Sequence, residues 1–153
     1  MRFSFQAGPL SGAQTAEVLP LVQVTWPGTD LAAWERYVQF FSGRSAAESG
    51  VLAMRDPSDC LCGLLVYSRH WSLGLGPILT VPLFTAVDMA NSLEAVRALL
   101  EAVETLASAL HCRALEIRLD RAQSRLADRL RLLDLSSDAG LFCKMIPPQD
   151  ESR

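Results

Sequence analysis

The pattern of apolar and polar positions is most regular over residues 78–119. Residues 78–87 are apolar and rich in β-branched side chains, which predicts a buried strand. Residues 93–110 repeat apolar side chains at helical spacing, and residues 113–119 alternate as a strand with one covered face does. The pattern predicts a strand–helix–strand unit, and anions often bind at the strand-to-helix turn of such units.

The rest of the chain gives a second set of predicted elements. The first three are a strand at 2–6 ended by Gly8-Pro9, a helix at 16–25 with Thr15 as N-cap, and a helix at 31–41 with Asp30 as N-cap. A hairpin of strands 51–55 and 60–68 around the turn 56–59 follows, and then a connection at 70–77 that contains several glycines. The last elements are a helix at 122–133, a turn at 136–140 and a strand at 141–146. Pro20 fits its helix only in the first turn or at a kink, and Pro82 predicts a bulge or an unpaired stretch because proline cannot donate to a ladder. The order predicts an α/β (mixed α+β) domain at 1–146, with a mostly antiparallel sheet of about six strands flanked by helices. Residues 147–153 are a polar C-terminal tail.

Aromatic residues recur at helical spacing in the predicted helix 31–41. Trp34, Tyr37 and Phe41 share one face, and such a stripe is typical of a core and not of a ligand cage. The same interpretation extends to Trp26 and Trp71.

Composition and charge exclude several classes of partner. The chain has 153 residues, half of them apolar, with a net charge of −3, which suits one domain without the basic face of a nucleic-acid binder. The arginines between residues 113 and 131 alternate with acidic residues, which is typical of a solvated, charge-paired face. No apolar run reaches about 18 residues and the N-terminus lacks a signal-peptide pattern, so we expect a cytoplasmic protein that does not enter membranes.

The cysteines indicate packed, reduced thiols and not a disulfide framework. Cys60 and Cys62 form a C-x-C pair that on a strand would point to one face, but no second pair stands at ligand spacing. His70 and His111 are isolated from it. The sequence therefore predicts no metal site.

The order of elements resembles that of the GNAT (Gcn5-related N-acetyltransferase) superfamily over nearly the whole chain. Residues 99–107, Leu-Leu-Glu-Ala-Val-Glu-Thr-Leu-Ala, are similar to the helix that follows the acetyl-CoA loop of that family, and residues 114–119 to the strand after it. The resemblance implies an acyl-CoA-dependent N-acyltransferase that uses acetyl-CoA or another acyl-CoA on the amine of a small molecule or a protein. It also implies that strand 78–87 splays from its neighbour to leave a slot for the pantetheine arm. The oligomeric state is not predicted, and a homodimer is one alternative.

The resemblance assigns candidate cofactor-binding residues. These are Thr85, Ala86 and Val87 on the strand and the backbone amides of Asn91, Ser92 and Leu93 at the helix start. The loop departs from the family pattern, because Asn91, Ser92, Glu94 and Val96 stand where an arginine and glycines are expected. A carboxylate at Glu94 would cap the helix with Asn91 and repel a pyrophosphate, so the cofactor loop is degenerate.

No catalytic residue is assigned from the sequence. The family often uses a tyrosine on the helix near the C-terminus as general acid and a carboxylate on a central strand as base, but residues 122–133 contain no tyrosine. The two tyrosines, Tyr37 and Tyr67, lie elsewhere. His70 is the histidine with access to the sheet, and general base is one role for it, although a loop histidine on the surface is the commoner case. The alternative function is a non-catalytic GNAT-like module that has lost acetyl-CoA and binds or senses a partner.

Overall fold

The structure is a computed structural model that describes residues 5–87, 92–138 and 140–148. Its elements in chain order are β1 (Gln6–Pro9), α1 (Gln14–Glu17), α2 (Leu19–Thr25), α3 (Leu31–Ser42), β2 (Ser49–Arg55), β3 (Leu61–Ser72), β4 (Gly76–Ala86), α4 (Ser92–Ala109), β5 (Ala114–Arg118), a 3₁₀ turn (Arg121–Gln123), α5 (Ser124–Leu132), β6 (Ser136–Asp138) and β7 (Leu141–Met145).

These strands form an open mixed sheet in the order β1-β2-β3-β4-β5-β7-β6. Every neighbouring pair is antiparallel except β4 and β5, which are parallel because α4 crosses over between them. The predicted fold class is confirmed. The predicted turn at 136–140 is wrong in part, since Ser136–Asp138 pairs with β7 as a short edge strand; Gly140, at φ +83°, directly precedes β7.

The N-terminal predictions need correction. The first described strand is Gln6–Pro9, and residues 2–4 of the strand predicted at 2–6 lie outside the described ranges. Gly8 and Pro9, predicted to follow the strand, are its last two residues, because β1 is an edge strand where proline is tolerated. The helix predicted at 16–25 is two helices, α1 and α2, broken at Val18. Pro20 lies in the first turn of α2, as predicted. Thr15 is not an N-cap but lies within α1, where its hydroxyl donates to the Ser11 carbonyl over 3.3 Å.

The two hairpins differ in how well local chemistry predicts them. In the β2–β3 turn the Asp56 carboxylate accepts from the Ser58 and Cys60 N–H groups at 2.8 and 3.0 Å, which confirms the predicted turn. The predicted connection at 70–77 is mostly strand, because β3 runs to Ser72 and the chain reverses just before Gly76, at φ +85°. Its apolar side chains belong to neither core cluster, and Trp71 is 75% exposed, so the prediction of a buried Trp71 is wrong.

Helices cover both faces of the sheet. Helices α4 and α5 pack on one face, over side chains that include Leu115 and Ile117 of β5. Helices α1–α3 pack on the other face, where Trp34 is buried and its indole N–H donates to the Thr15 carbonyl over 2.9 Å. Asp30 caps α3 as predicted, since its carboxylate accepts from the Ala33 N–H at 2.8 Å. Among the helices in the described ranges, none is both long and apolar enough to pass through a membrane.

Candidate active site

Strand β4 leaves its parallel neighbour halfway along its length. The two strands pair from Ile78 opposite Ala114 to Val81 opposite Ile117, and the pairing ends there. Strand β4 nevertheless continues to Ala86 along β3. The strands therefore separate after Val81 and leave a wedge-shaped opening in the sheet, which we call the splay.

A bulge at Pro82 lies at the start of the splay. Val66 pairs with Leu83 and Ser68 pairs with Thr80, so Val81 and Pro82 together oppose the single residue Tyr67. The bulge predicted from Pro82 is confirmed. It bends β4 where its ladder to β5 stops, because proline has no N–H to continue that ladder.

The Gln123 side chain closes part of the splay. Its amide Nε2 donates to the Phe84 carbonyl over 2.8 Å, and its Oε1 accepts from the Asp120 N–H at 2.9 Å. Asp120 in turn accepts from the Ala122 N–H, which completes a capping box. Gln123 is buried and links the start of the 3₁₀ turn to the freed part of β4.

A row of polar side chains crosses the sheet just before the splay. Each member lies directly opposite the next in the strand pairing, so all project from one face: Ser49, Ser68, Thr80, Glu116, Cys143 and Ser136. The Thr80 hydroxyl donates to the Ser68 carbonyl over 3.0 Å, and the Ser136 hydroxyl donates to the Cys143 carbonyl over 3.2 Å. Such a row in the middle of a sheet provides polar groups without disrupting the apolar core on either side.

Ser68, Thr80 and Glu116 of this row form the floor of a pocket of about 440 Å³ between the sheet and the end of α3, which we call the acceptor pocket. Its lining residues are Phe40, Phe41, Arg44, Ser68, His70, Thr80, Val81, Pro82, Glu116, Arg118 and Leu141. Pro82 lies at the rim where the strands separate. The pocket and the splay therefore meet, so that a group entering through the splay would reach the row.

Glu116 is the carboxylate of this pocket. It is half-buried on central strand β5 between Thr80 and Cys143. Burial and then the negative charge of Glu116 raise the pKa of the Cys143 thiol. The sequence contains a signal for Glu116, since it alternates with Leu115 and Ile117, but the charge pattern alone predicts a charge-paired face there.

Comparison with solved structures gives the same architecture. Arabidopsis thaliana NAA60 in complex with a bisubstrate analogue matches with a TM-score of 0.70 and 12% identity, covering 95% of this chain and 100% of that chain. A spermidine N-acetyltransferase from Vibrio cholerae in complex with CoA and spermine has a TM-score of 0.70 and 7% identity, covering 93% and 95%. A GNAT superfamily phosphinothricin acetyltransferase from Sinorhizobium meliloti in complex with AcCoA has a TM-score of 0.69 and 10% identity, covering 96% and 94%.

The chain has the GNAT fold. No family model matches it, and no curated protein sequence matches it either. The fold predicted from the order of elements is thus confirmed at the level of structure.

The predicted cofactor-binding residues of β4 lie at the far end of the splay. Thr85 is buried and pairs with Leu64 of β3, and Ala86 pairs with Gly63. Val87 follows the strand, and its N–H donates to the Cys62 carbonyl over 2.8 Å. All three lie beside the splay, where the Val87 N–H already has a partner, and their role in cofactor binding stays a prediction.

The predicted residues at the start of α4 are only partly described. Asn91 lies outside the described residues, and Ser92 is the first residue of α4. Leu93 and Glu94 line a groove of about 1370 Å³ on the other face of the sheet, between α4 and strands β1 and β2. This groove is larger than the acceptor pocket and is mostly apolar, but the polar row projects from the opposite face of the sheet.

The other predicted residues are spread over the fold. His70 is an exposed strand residue that lines the acceptor pocket, not a loop residue. Tyr67 faces the opposite side of the sheet, and its hydroxyl donates to the Ala46 carbonyl over 2.7 Å. Helix α5 places Leu130, which is fully buried, towards the core. The prediction of a charge-paired arginine face is correct for Arg131, which pairs with Asp128 at 3.0 Å. It does not describe Arg118, which lines the acceptor pocket.

The cysteines do not form a metal site. Cys60 is exposed and lies in the turn before β3, so it does not share a strand with buried Cys62, and the prediction that both project from one strand face is wrong. No group of three potential ligands occurs among the described residues. The interpretation of packed thiols is correct for Cys62 and Cys112 and wrong for Cys60.

We expect Cys60 to be alkylated first when the folded protein is treated with iodoacetamide at pH 8. Burial, then the charge of Asp56 and then that of Cys60, raises the pKa of the Cys62 thiol to about 11, so little reactive thiolate is present. Burial likewise raises the pKa of Cys112. Peptide mass spectrometry over time measures the order, and a C60S variant is the control. Labelling of Cys62 as fast as Cys60 would contradict the structure.

Proposed function

We propose that this protein is an acyl-CoA-dependent N-acyltransferase that acts on an amine of a small molecule or a protein, with acetyl-CoA or another acyl-CoA as donor. One observation supports the proposal above the others. The splay opens onto the acceptor pocket, and a carboxylate on the central strand, Glu116, lies in the floor of that pocket.

The residues around the splay suit a pantetheine arm. Beyond Val81, the edge of β4 that faces β5 has no ladder partner in the described chain, and free backbone groups are what an amide-containing arm would bind. The freed part of β4 beyond Val81 would hold it, in place of the Gln123 side-chain amide that donates to the Phe84 carbonyl in this structure. When bound, acyl-CoA supplies an activated thioester as acyl donor.

The chain's own groups would prepare the acceptor. An amine is mostly protonated at neutral pH, and it must lose a proton before its nitrogen can attack a carbonyl. The Glu116 carboxylate is placed to accept that proton, directly or through a water molecule. Ser68 and Thr80 line the same floor and would orient the amine.

A second candidate function is a GNAT-like module without catalysis. Three observations support it. Gln123 already occupies the Phe84 carbonyl in the splay, and the sequence places no tyrosine in α5 to act as general acid. Glu94 in the first turn of α4 also disfavours an anion there.

Calorimetric titration and thermal shift with CoA and acetyl-CoA separate these candidates. We expect saturable heat and a rise in melting temperature, since a ligand at about 100 times its Kd stabilises the folded state by about 2.7 kcal/mol. Release of free CoA thiol with a panel of amines then measures transfer. Binding without turnover would support the second candidate. The absence of both heat and thermal shift at millimolar cofactor would contradict the acyltransferase proposal.

A further inference from the structure

We infer that the acceptor pocket binds a free amino acid, that is, a small molecule that carries an amine and a carboxylate together. This inference rests on the proposed function and adds the chemical class of the acceptor to it. We infer this from the charged side chains that line the pocket.

Cationic side chains outnumber carboxylates in the pocket. Arg44 follows the end of α3, Arg118 ends β5, and Glu116 is the carboxylate in the pocket floor. In the described chain, none of the three forms a hydrogen bond or ion pair with another side chain, and Arg44 only packs over the Phe40 ring at 5.4 Å. One carboxylate and two guanidinium groups are thus available to a ligand.

This set of charges matches an amino acid better than a polyamine. A carboxylate binds the ammonium group, and guanidinium groups bind a carboxylate in two-pronged geometry. A polyamine would instead bring several positive charges near Arg44 and Arg118. Like charges close together repel each other, so the pocket disfavours a polyamine.

The register of β5 sets the spacing between the two kinds of group. Glu116 and Arg118 are two residues apart on one strand, so both project from the same face and their Cα atoms are about 6.6 Å apart. An amine held at Glu116 therefore directs the carboxylate of the same molecule towards Arg118. Phe40 and Phe41 add an apolar wall for the side chain of the amino acid.

Arg118 also lies one residue beyond the last β4–β5 pair, Val81 with Ile117, and hence beside the splay. Its guanidinium group could serve the cofactor instead of the acceptor. The two roles predict different losses when Arg118 is changed. The experiment therefore measures cofactor affinity separately from acceptor affinity.

The test compares R118Q and R44Q with an R113Q control. Arg113 precedes β5 and lies outside the pocket, near Gly76. With saturating acetyl-CoA, steady-state rates are measured for glutamate, leucine, their carboxamides and spermidine. We expect R118Q to raise KM for the amino acids at least tenfold, to change kcat less than threefold, and to leave the carboxamides unaffected. R113Q should behave as the parent protein does.

The inference is overturned if spermidine or the carboxamides are as good substrates as the amino acids, or if a peptide with an acidic first residue is a better one. It is also overturned if R118Q loses affinity for CoA and not for the amino acid. Thermal shift with glutamate and leucine alone gives a readout without turnover. A shift that R118Q abolishes would support the amino acid site even if no acyl transfer occurs. No shift and no turnover would overturn it.

Discussion

Replacing Glu116 by glutamine is expected to lower kcat for acyl transfer by about 10²–10⁴-fold, the usual contribution of a positioned general base. Glutamine keeps the shape of the side chain and its place between Thr80 and Cys143, but its amide cannot accept the proton of an ammonium acceptor. The measurement is release of free CoA thiol under saturating acetyl-CoA. The affinity for CoA should stay within a factor of about three, since the change leaves the splay intact.

E101Q is the matched control for this variant. Glu101 is an exposed carboxylate on α4, and it lines the larger groove on the other face of the sheet. The same chemical change there should leave kcat unaltered. Thermal melting of both variants checks folding. An E116Q protein that keeps a third or more of the parent kcat would show that the proton leaves by another group, with His70 the next one to change.

Pro82 shows how far local chemistry predicts this site. A proline inside an apolar strand pattern indicates an interrupted ladder, and the structure places the β3–β4 bulge and the end of the β4–β5 pairing at that residue. Similarly, Asp30 and the residues 56–59 predict a helix start and a turn, because each acts on backbone within four residues of itself. These features depend on short-range interactions, which a sequence displays directly.

The acceptor pocket depends on long-range pairing instead. Glu116 lies beside Thr80 only because β4 and β5 adopt one parallel register, and Arg44 joins them from the segment after α3, on a distant part of the chain. Nothing local to these residues specifies that register. Hydrophobic alternation gave the face on which Glu116 lies, but not the groups that share that face.

Gln123 has both a local role and a long-range role. Asp120 with Gln123 three residues later is the pattern of a capping box, and the structure contains that box. The same side chain also donates to Phe84, 39 residues away in sequence, and so links the turn to the splay. The local role was available from the sequence, whereas the one that bears on cofactor binding required the fold. Trp71 is the opposite case, because its spacing suggested a core residue but the β3–β4 hairpin carries it away from both clusters.

Leu115 and Glu116 are neighbours on β5, yet their variants should have opposite effects. Leu115 is fully buried in the cluster under α4 and α5, opposite Leu79 on β4 and Lys144 on β7. Leu115→Ala should destabilise the protein by about 2–5 kcal/mol, because it removes buried methyl groups and leaves a cavity that packed neighbours fill only partly. Urea unfolding followed by circular dichroism measures the lost free energy of unfolding. The dependence of that free energy on urea concentration should stay the same if the transition stays two-state.

L132A is the control for this prediction, since Leu132 ends α5 with 71% of its surface exposed and the same truncation should change stability little. The folded fraction of L115A should keep an unchanged KM for the amine, because Leu115 projects away from the acceptor pocket. E116Q should instead keep its stability and lose turnover. A loss below about 1 kcal/mol for L115A would mean that β5 is not embedded between the two layers. Successive residues of β5 would then not point alternately to the core and to the acceptor pocket. Glu116 would not lie in the pocket floor, and the proposed mechanism depends on that position.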